Sequence, residues 1–397
     1  MNKNLKLGVF GFGCVGQGLY QVLNNTKGIK AEIVKICVKD KNKSRNVDLG
    51  LFTFDKDELL NNPDINVIVE LIDDADAAYE IVKAALISGK AVVTANKKMV
   101  AEHLEELYEL QIKYNTPLLY EASSCASIPI IRNLEEYYDN DLLTKVEGIF
   151  NGSSNYILSQ IFNKNHSFNA SLLEAQKLSF AESNPYLDIS GLDSKFKLTI
   201  ILAHTFGLFV KPEEFFQIGI ENINEYDIKF AREKGYKIKL NAFCYKSEND
   251  EINAGVLPSF IAKDNPIYNV DDEYNGVLIQ SIFSENQFFV GKGAGGLPTG
   301  SAVLSDISAL TYDYKYEYKK RNQKGSLKLS NNFNVKIYLR YLTDKSEANK
   351  KSYDDLFIEI KETYQNSDYG YIIGEINYNQ LVTNYVLNNK SNFIATI

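Results

Sequence analysis

A chain of 397 residues with 45% hydrophobic side chains can fill two or three domain cores, and its formal net charge of -8 argues against nucleic acid as a general partner. Four scattered cysteines without a Cys-x-x-Cys, and three scattered histidines, argue against a disulfide framework, a zinc site or a histidine-based metal centre. No long apolar leader opens the chain and no run reaches about eighteen apolar residues, so a cytoplasmic protein that needs no membrane is expected.

Residues 5–10 read as a short buried strand, Gly11-Phe12-Gly13-Cys14-Val15-Gly16 follows, and residues 19–23 open a helix. Between strand and helix, such glycines let the backbone turn tightly and approach a pyrophosphate at the helix amino end. The next strand, 33–38, runs into Lys39-Asp40, with Lys41, Lys43 and Arg45 behind it. An acidic residue there selects a free ribose 2'-hydroxyl and a basic cluster accepts a 2'-phosphate, so Lys39 and its neighbours tilt the choice toward NADP and leave NAD open. Strands at 67–72, 91–94 and 117–120 alternate with helices at 75–87 and 101–114, the pattern of a doubly wound α/β sheet whose ligands lie beyond the strand carboxyl ends. Thr94-Ala95-Asn96-Lys97-Lys98 occupies such an end, where a lysine can face a cofactor's reactive ring.

In the middle third, Gly148 to Asn151 ends a strand, and Asn151-Gly152-Ser153-Ser154-Asn155 is a turn whose serine can cap the next helix. Glu182, Asp188, Asp193, Lys195 and Lys197 then crowd against the apolar residues 198–203. Asp193 and Lys197, four apart on a helix starting near Leu192, share one face that Ile200, Ile201 and His204 continue inward. A charged first turn on a helix apolar nearly all round belongs at a pocket rim; Lys195, two positions off that face, is assigned to the surface. Strands over 238–245, 252–257, 277–283 and 287–290 suggest a mixed α/β domain with an open sheet. A second glycine-rich loop, Gly291 to Thr299, precedes a helical run at 302–310. After a charged connection at 312–326 the pattern gives strands at 335–342, 371–376 and 392–397, a helix at 354–364 and a helix or strand at 381–387.

Taken together, Gly-Lys-Ala-Val-Val-Thr-Ala-Asn-Lys (89–97), Tyr-Glu-Ala-Ser (120–123), Ile-Pro-Ile-Ile (128–131), Gly-Ile-Phe-Asn-Gly-Ser-Ser-Asn-Tyr-Ile-Leu (148–158), the 182–197 block and Gly-Lys-Gly-Ala-Gly-Gly-Leu-Pro-Thr (291–299) resemble homoserine dehydrogenase across about residues 5–310. The resemblance implies a Rossmann-type dinucleotide domain (1–130, rejoined by about 290–310) and a mixed α/β substrate and oligomerisation domain (131–290). A connector (311–330) and a small α+β, ACT-like domain (331–397) would follow. In such modules a glycine in the first loop binds an amino acid, and residues 343–349 lack one.

The implied reaction is the NAD(P)-dependent interconversion of L-homoserine and L-aspartate 4-semialdehyde, a step toward threonine and methionine, by hydride transfer with a lysine as acid/base. Lys97 and Lys197 correspond to the catalytic lysines and Asp193 to a carboxylate that orients Lys197 or the reacting hydroxyl; sequence leaves open which lysine delivers the proton. Glu182, Asp188, Gly152 and Ser153 correspond to substrate contacts. Gly11, Gly13, Cys14, Val15, Gly16, Lys39, Thr94, Asn96, Gly295 and Thr299 correspond to the cofactor site. The resemblance also implies a monovalent cation such as sodium on the backbone around Glu121, Ser124 and Ala126, and a homodimer or homotetramer. Asp73-Asp74 and Ala126-Ser127 stand where the family usually has Gly-Gly, and Cys14 where it has threonine. Asp73-Asp74 is thereby expected to set two carboxylates near a cofactor phosphate. These departures keep two alternatives in view: a non-catalytic dinucleotide-binding regulatory protein, and a reductase of a related amino-acid aldehyde.

Overall fold

The computed structural model describes residues 4–140, 142–323, 327–343, 353–384 and 391–397. The chain opens with β1 (Leu5–Phe10), α1 (Cys14–Asn25), β2 (Ala31–Cys37), β3 (Phe52–Thr53), the short α2 (Asp57–Leu60), β4 (Val67–Glu70), α3 (Ala75–Ile87), β5 (Ala91–Thr94), α4 (Lys97–Tyr114), β6 (Leu118–Leu119) and the single turn α5 (Ile130–Arg132). It continues through β7 (Leu143–Ile149), α6 (Gly152–Lys164), α7 (Phe168–Lys177), α8 (Tyr186–Ile189), α9 (Leu192–Phe206), β8 (Phe216–Gln217), α10 (Glu225–Lys234), β9 (Lys237–Lys246), β10 (Glu251–Ile261), β11 (Tyr274–Ser281), β12 (Glu285–Lys292) and α11 (Gly296–Ala309). The last segment carries β13 (Lys328–Leu329), β14 (Asn334–Leu342), β15 (Glu359–Gln365), β16 (Tyr369–Asn377), α12 (Asn379–Thr383) and β17 (Phe393–Thr396). Two compact units result: Met1–Asp141 with Thr199–Lys211 and Gly291–Gln323, and Leu142–Leu198 with Pro212–Val290 and Lys324–Ile397.

The sheet of the first unit has the order β3-β2-β1-β4-β5-β6, and every pairing in it is parallel. Leu7, Val9, Ile68, Val69, Val92 and Val93 are almost fully buried, which is why its strands read as continuous apolar runs. Strand order reverses between β1 and β4, and the crevice beyond their carboxyl ends is where such folds bind nucleotides. Helices α1 and α11 meet backbone to backbone: a Cβ on Gly18 would lie 1.9 Å from the Gly296 carbonyl oxygen, and one on Gly300 would lie 2.6 Å from the Gly18 carbonyl carbon.

The second unit holds a mixed sheet ordered β12-β11-β7-β9-β10-β17-β14-β16-β15, with β8 and β13 also pairing β10. The C-terminal strands therefore extend this sheet, and Ile337, Leu339, Ile372, Tyr378 and Ile394 pack into one core with Phe243 and Leu257 of β9 and β10. Most of the helix expected over 354–364 is instead β15, an antiparallel partner of β16 that begins at Glu359. Its Glu- and Lys-rich composition suits a helix, but its place at the end of the strand order suits a charged edge strand, and tertiary pairing decides. Residues 379–383 form α12; residues 385–387 of the helix or strand expected at 381–387, and 344–349 of the loop expected to lack glycine, lie outside the described residues. Among the described residues no helix is long and apolar enough to cross a membrane.

Candidate active site

The first glycine loop is shaped by steric necessity. Gly11 has φ +93°, and a Cβ there would lie 2.6 Å from the Leu71 carbonyl oxygen; one on Gly16 would lie 2.6 Å from that of Gly11. Gly13 differs: a Cβ would meet nothing within 4 Å, so the exposed Gly13–Cys14 edge borders open space. It is the N-cap of α1 without a side-chain cap, which leaves the first-turn N–H groups to an external acceptor. Val15 is half-buried behind it. These features fit a dinucleotide pyrophosphate. Gly295, at φ +114°, lies within the second glycine loop as the N-cap of α11, where the Thr299 N–H donates to the Gly295 carbonyl, and Gly296 abuts Cys14.

Asp74 turns out to have a structural task. It caps α3 by accepting from the Ala77 N–H at 3.0 Å, and Lys39 Nζ lies 3.5 Å from its other oxygen. The carboxylate expected to crowd a phosphate is thus engaged by a helix end and a lysine. Arg45, behind Lys39, stacks 4.9 Å from the Phe52 ring and donates to the Asp40 and Lys43 carbonyls.

At the carboxyl ends of β4 and β5 the sequence reading missed one residue. Glu70 is fully buried and accepts from Thr94 Oγ1 and from the Ile72 N–H, each at 2.6 Å. Burial pushes its carboxyl up to about 7 against these hydrogen bonds. Thr94 Oγ1 in turn accepts from the Asn96 N–H, and Asn96 caps α4 through the Met99 N–H and donates to the Ile72 carbonyl. Lys97 is the first residue of α4 and half-buried; Lys98 is exposed and 3.8 Å from Glu102. A lone acid inside an apolar strand was the available signal for Glu70.

In the second unit the charges converge. Lys197 Nζ lies 2.7 Å from Asp193 Oδ2 and 2.7 Å from the Phe150 carbonyl oxygen. Asn151 Nδ2 donates to Asp193 at 2.9 Å and to Asp188 at 2.7 Å, while Asn275 Nδ2 also donates to the Phe150 carbonyl. Asp193 and Lys197 side chains are 3% and 7% exposed, so this pair is no surface contact. Asn151, rather than a serine, caps α6; Ser153 Oγ donates to the Phe180 carbonyl. A Cβ on Gly152 would lie 2.6 Å from the Glu273 carbonyl, so only glycine fits that turn. Glu182 lies on an exposed loop.

Lys195 corrects the surface assignment. It is buried, donates to Gln217 at 2.8 Å and lies over the Phe215 ring, and burial lowers its ammonium to about 8. The apolar surroundings of α9 extend to the face opposite Lys197, which a two-residue offset alone does not reveal.

The expected cation loop is a tight turn in the first unit. The Glu121 carboxylate accepts the Ile131 and Arg132 N–H groups and is not a spare ligand. Ala126 takes φ +44°, and Ser124 Oγ is buried without a hydrogen-bond partner among the described residues. Carbonyl and hydroxyl oxygens of this loop suit a hard monovalent cation; among the described residues no cluster of three or more His, Cys, Asp or Glu suits a transition metal.

Residues 11–121 match the family model for the NAD-binding domain of homoserine dehydrogenase, and residues 129–308 match that for homoserine dehydrogenase. A homoserine dehydrogenase of Helicobacter pylori is 38% identical over 314 residues, which are 77% of this chain and 74% of that protein. The chain belongs to the homoserine dehydrogenase family. A Synechocystis homoserine dehydrogenase is 35% identical over 76% of this chain and 72% of its own. The crystal structure of a homoserine dehydrogenase from Thiobacillus denitrificans superposes with a TM-score of 0.87 at 28% identity, covering 99% of this chain and 98% of that one. That likeness runs through the C-terminal strands, beyond the reach of the family models. The protein is an NAD(P)-dependent oxidoreductase acting on a CH–OH group, a homoserine dehydrogenase of amino-acid biosynthesis; neither alternative reading is favoured.

Proposed function

We propose that Lys197, oriented by Asp193, is an acid/base of this enzyme and that Lys97 is the second catalytic lysine. The observation that carries this reading is the 2.7 Å contact of Lys197 Nζ with Asp193 inside a buried helix turn. A bound nicotinamide supplies or accepts the hydride. As the aldehyde carbon of aspartate 4-semialdehyde gains it, the carbonyl oxygen becomes an alkoxide and takes a proton from a lysine ammonium. Asp193 and the Phe150 carbonyl engage two of the three N–H groups of Lys197, which leaves the third for that oxygen. Asp188, joined to Asp193 through Asn151, and Glu182 supply negative charge for the substrate ammonium, with the Gly152–Ser153 backbone lying against the substrate.

The glycine loop residues Gly11 to Gly16, with Thr94, Asn96, Gly295 and Thr299, hold the dinucleotide, and Lys39 favours its 2'-phosphate. A sodium-like ion on the 121–126 turn is a structural accessory. The enzyme works in the cytoplasm as a homodimer or homotetramer, with the segment from 331 as an ACT-like module. Following NADPH and NADH absorbance with aspartate 4-semialdehyde tests the reading: faster turnover with NADPH is expected, and Lys39→Glu should reverse the preference. An NADH preference unaltered by Lys39→Glu would overturn the cofactor assignment.

A further inference from the structure

We propose that Glu70 is a positioning residue for hydride transfer: through Thr94 and Asn96, its buried carboxylate holds the amino end of α4, and with it Lys97. The inference rests on the assignment of Lys97 as a catalytic lysine.

Four groups close a ring. Glu70 accepts from the Ile72 N–H and the Thr94 hydroxyl; Thr94 Oγ1 accepts from the Asn96 N–H; the Asn96 amide donates to the Ile72 carbonyl. The remaining Asn96 oxygen caps the Met99 N–H, so the residue before Lys97 is tied to both neighbouring strand ends. The same Leu71–Ile72 segment abuts the glycine loop, where a Cβ on Gly11 would strike the Leu71 carbonyl. The ring thus joins the wall of the cofactor loop to the helix start that carries Lys97.

Its chemistry asks for a carboxylate. Thr94 must donate toward Glu70 because its oxygen already receives the Asn96 N–H, and Ile72 presents a second donor, so Glu70 needs two acceptor oxygens. A glutamine offers one. Its NH₂ either opposes the Ile72 N–H or leaves the Thr94 hydroxyl proton without an acceptor, and both residues 70 and 94 are fully buried, where such a group is costly. Strand pairing of β4 with β1 and β5 survives the change, because it uses the backbone alone.

The test is a double-mutant cycle. Glu70→Gln should lower kcat by about 10²-fold, the scale of a misplaced catalytic group, while KM for the semialdehyde stays within a few-fold. In a Lys97→Ala background the same change should cost nothing further. Thr94→Val should reproduce the kcat loss and Thr94→Ser, which keeps the hydroxyl, should restore it. If Lys97→Ala itself retains native rate, the Lys97 assignment falls. If Lys97→Ala is impaired but Glu70→Gln multiplies that loss in full, or Glu70→Gln alone leaves kcat unchanged, the positioning role is overturned.

Discussion

The second unit buries two ion pairs, one between residues four apart on a helix and one between residues 113 apart in the chain. Asp193–Lys197 lies on the first turns of α9, and Asp227–Arg340 joins α10 to β14. Both are almost free of solvent, so both carried a desolvation cost on folding. They differ in closure. Arg340 reaches both Asp227 oxygens and the Asn222 and Ser391 carbonyls, and Asp227 also accepts from Tyr338 Oη and the Asn224 N–H. That pair is sealed by the chain itself. Among the described residues Lys197 Nζ has two chain acceptors, and in the proposed reading its third N–H meets the substrate oxygen. A buried pair whose carboxylate is filled by chain donors and whose cation is held by four chain contacts fixes a fold; one held by fewer can take part in chemistry.

The comparison can be broken by mutation. Lys197→Ala should lower kcat by about 10³-fold, within the range of general acid catalysis, with the coenzyme dissociation constant unchanged. Arg340→Ala leaves Asp227 buried without its cation and should destabilise the fold by about 3–5 kcal/mol, read by chemical denaturation, with kcat per folded molecule unchanged. A smaller effect sharpens the contrast from the first unit. Burial pushes the carboxyls of Glu70 and Asp306 up to about 7, and that of Glu121, with Asp306 nearby, to about 8. Between the ordinary carboxylate range and these values the folded chain holds protons that the unfolded chain has released. Their contribution is complete below the ordinary carboxylate range and is lost as pH rises from about 4 through 7 to 8, so unfolding free energy should fall over that whole window by about 1 kcal/mol or more per group. A rise across the same window in denaturant titrations would contradict the burial of these acids.

Local motifs were the legible part. The glycine loop, the alternation of strands and helices, and the four-residue spacing of Asp193 and Lys197 each express their geometry within a few residues. Glu70, Asn151 and Asn275 were not legible, because their meaning comes from partners between two and about 125 residues away. Asn151 outcompeted the serines as the cap of α6 and tied Asp188 to Asp193, roles that the turn alone does not separate. Lys195 was misjudged because helical offset tells which face a residue takes, not whether that face meets water. In β15 composition favoured a helix and pairing made a strand, for the register with β16 is set by residues outside it.

The most direct test measures kcat with aspartate 4-semialdehyde and the denaturation midpoint on the same preparations of Lys197→Ala and Arg340→Ala. The account predicts a crossed result: Lys197→Ala folded but nearly inactive, Arg340→Ala strongly destabilised but active in its folded fraction. Near-native activity in Lys197→Ala, or equal losses of both quantities in both variants, would contradict it.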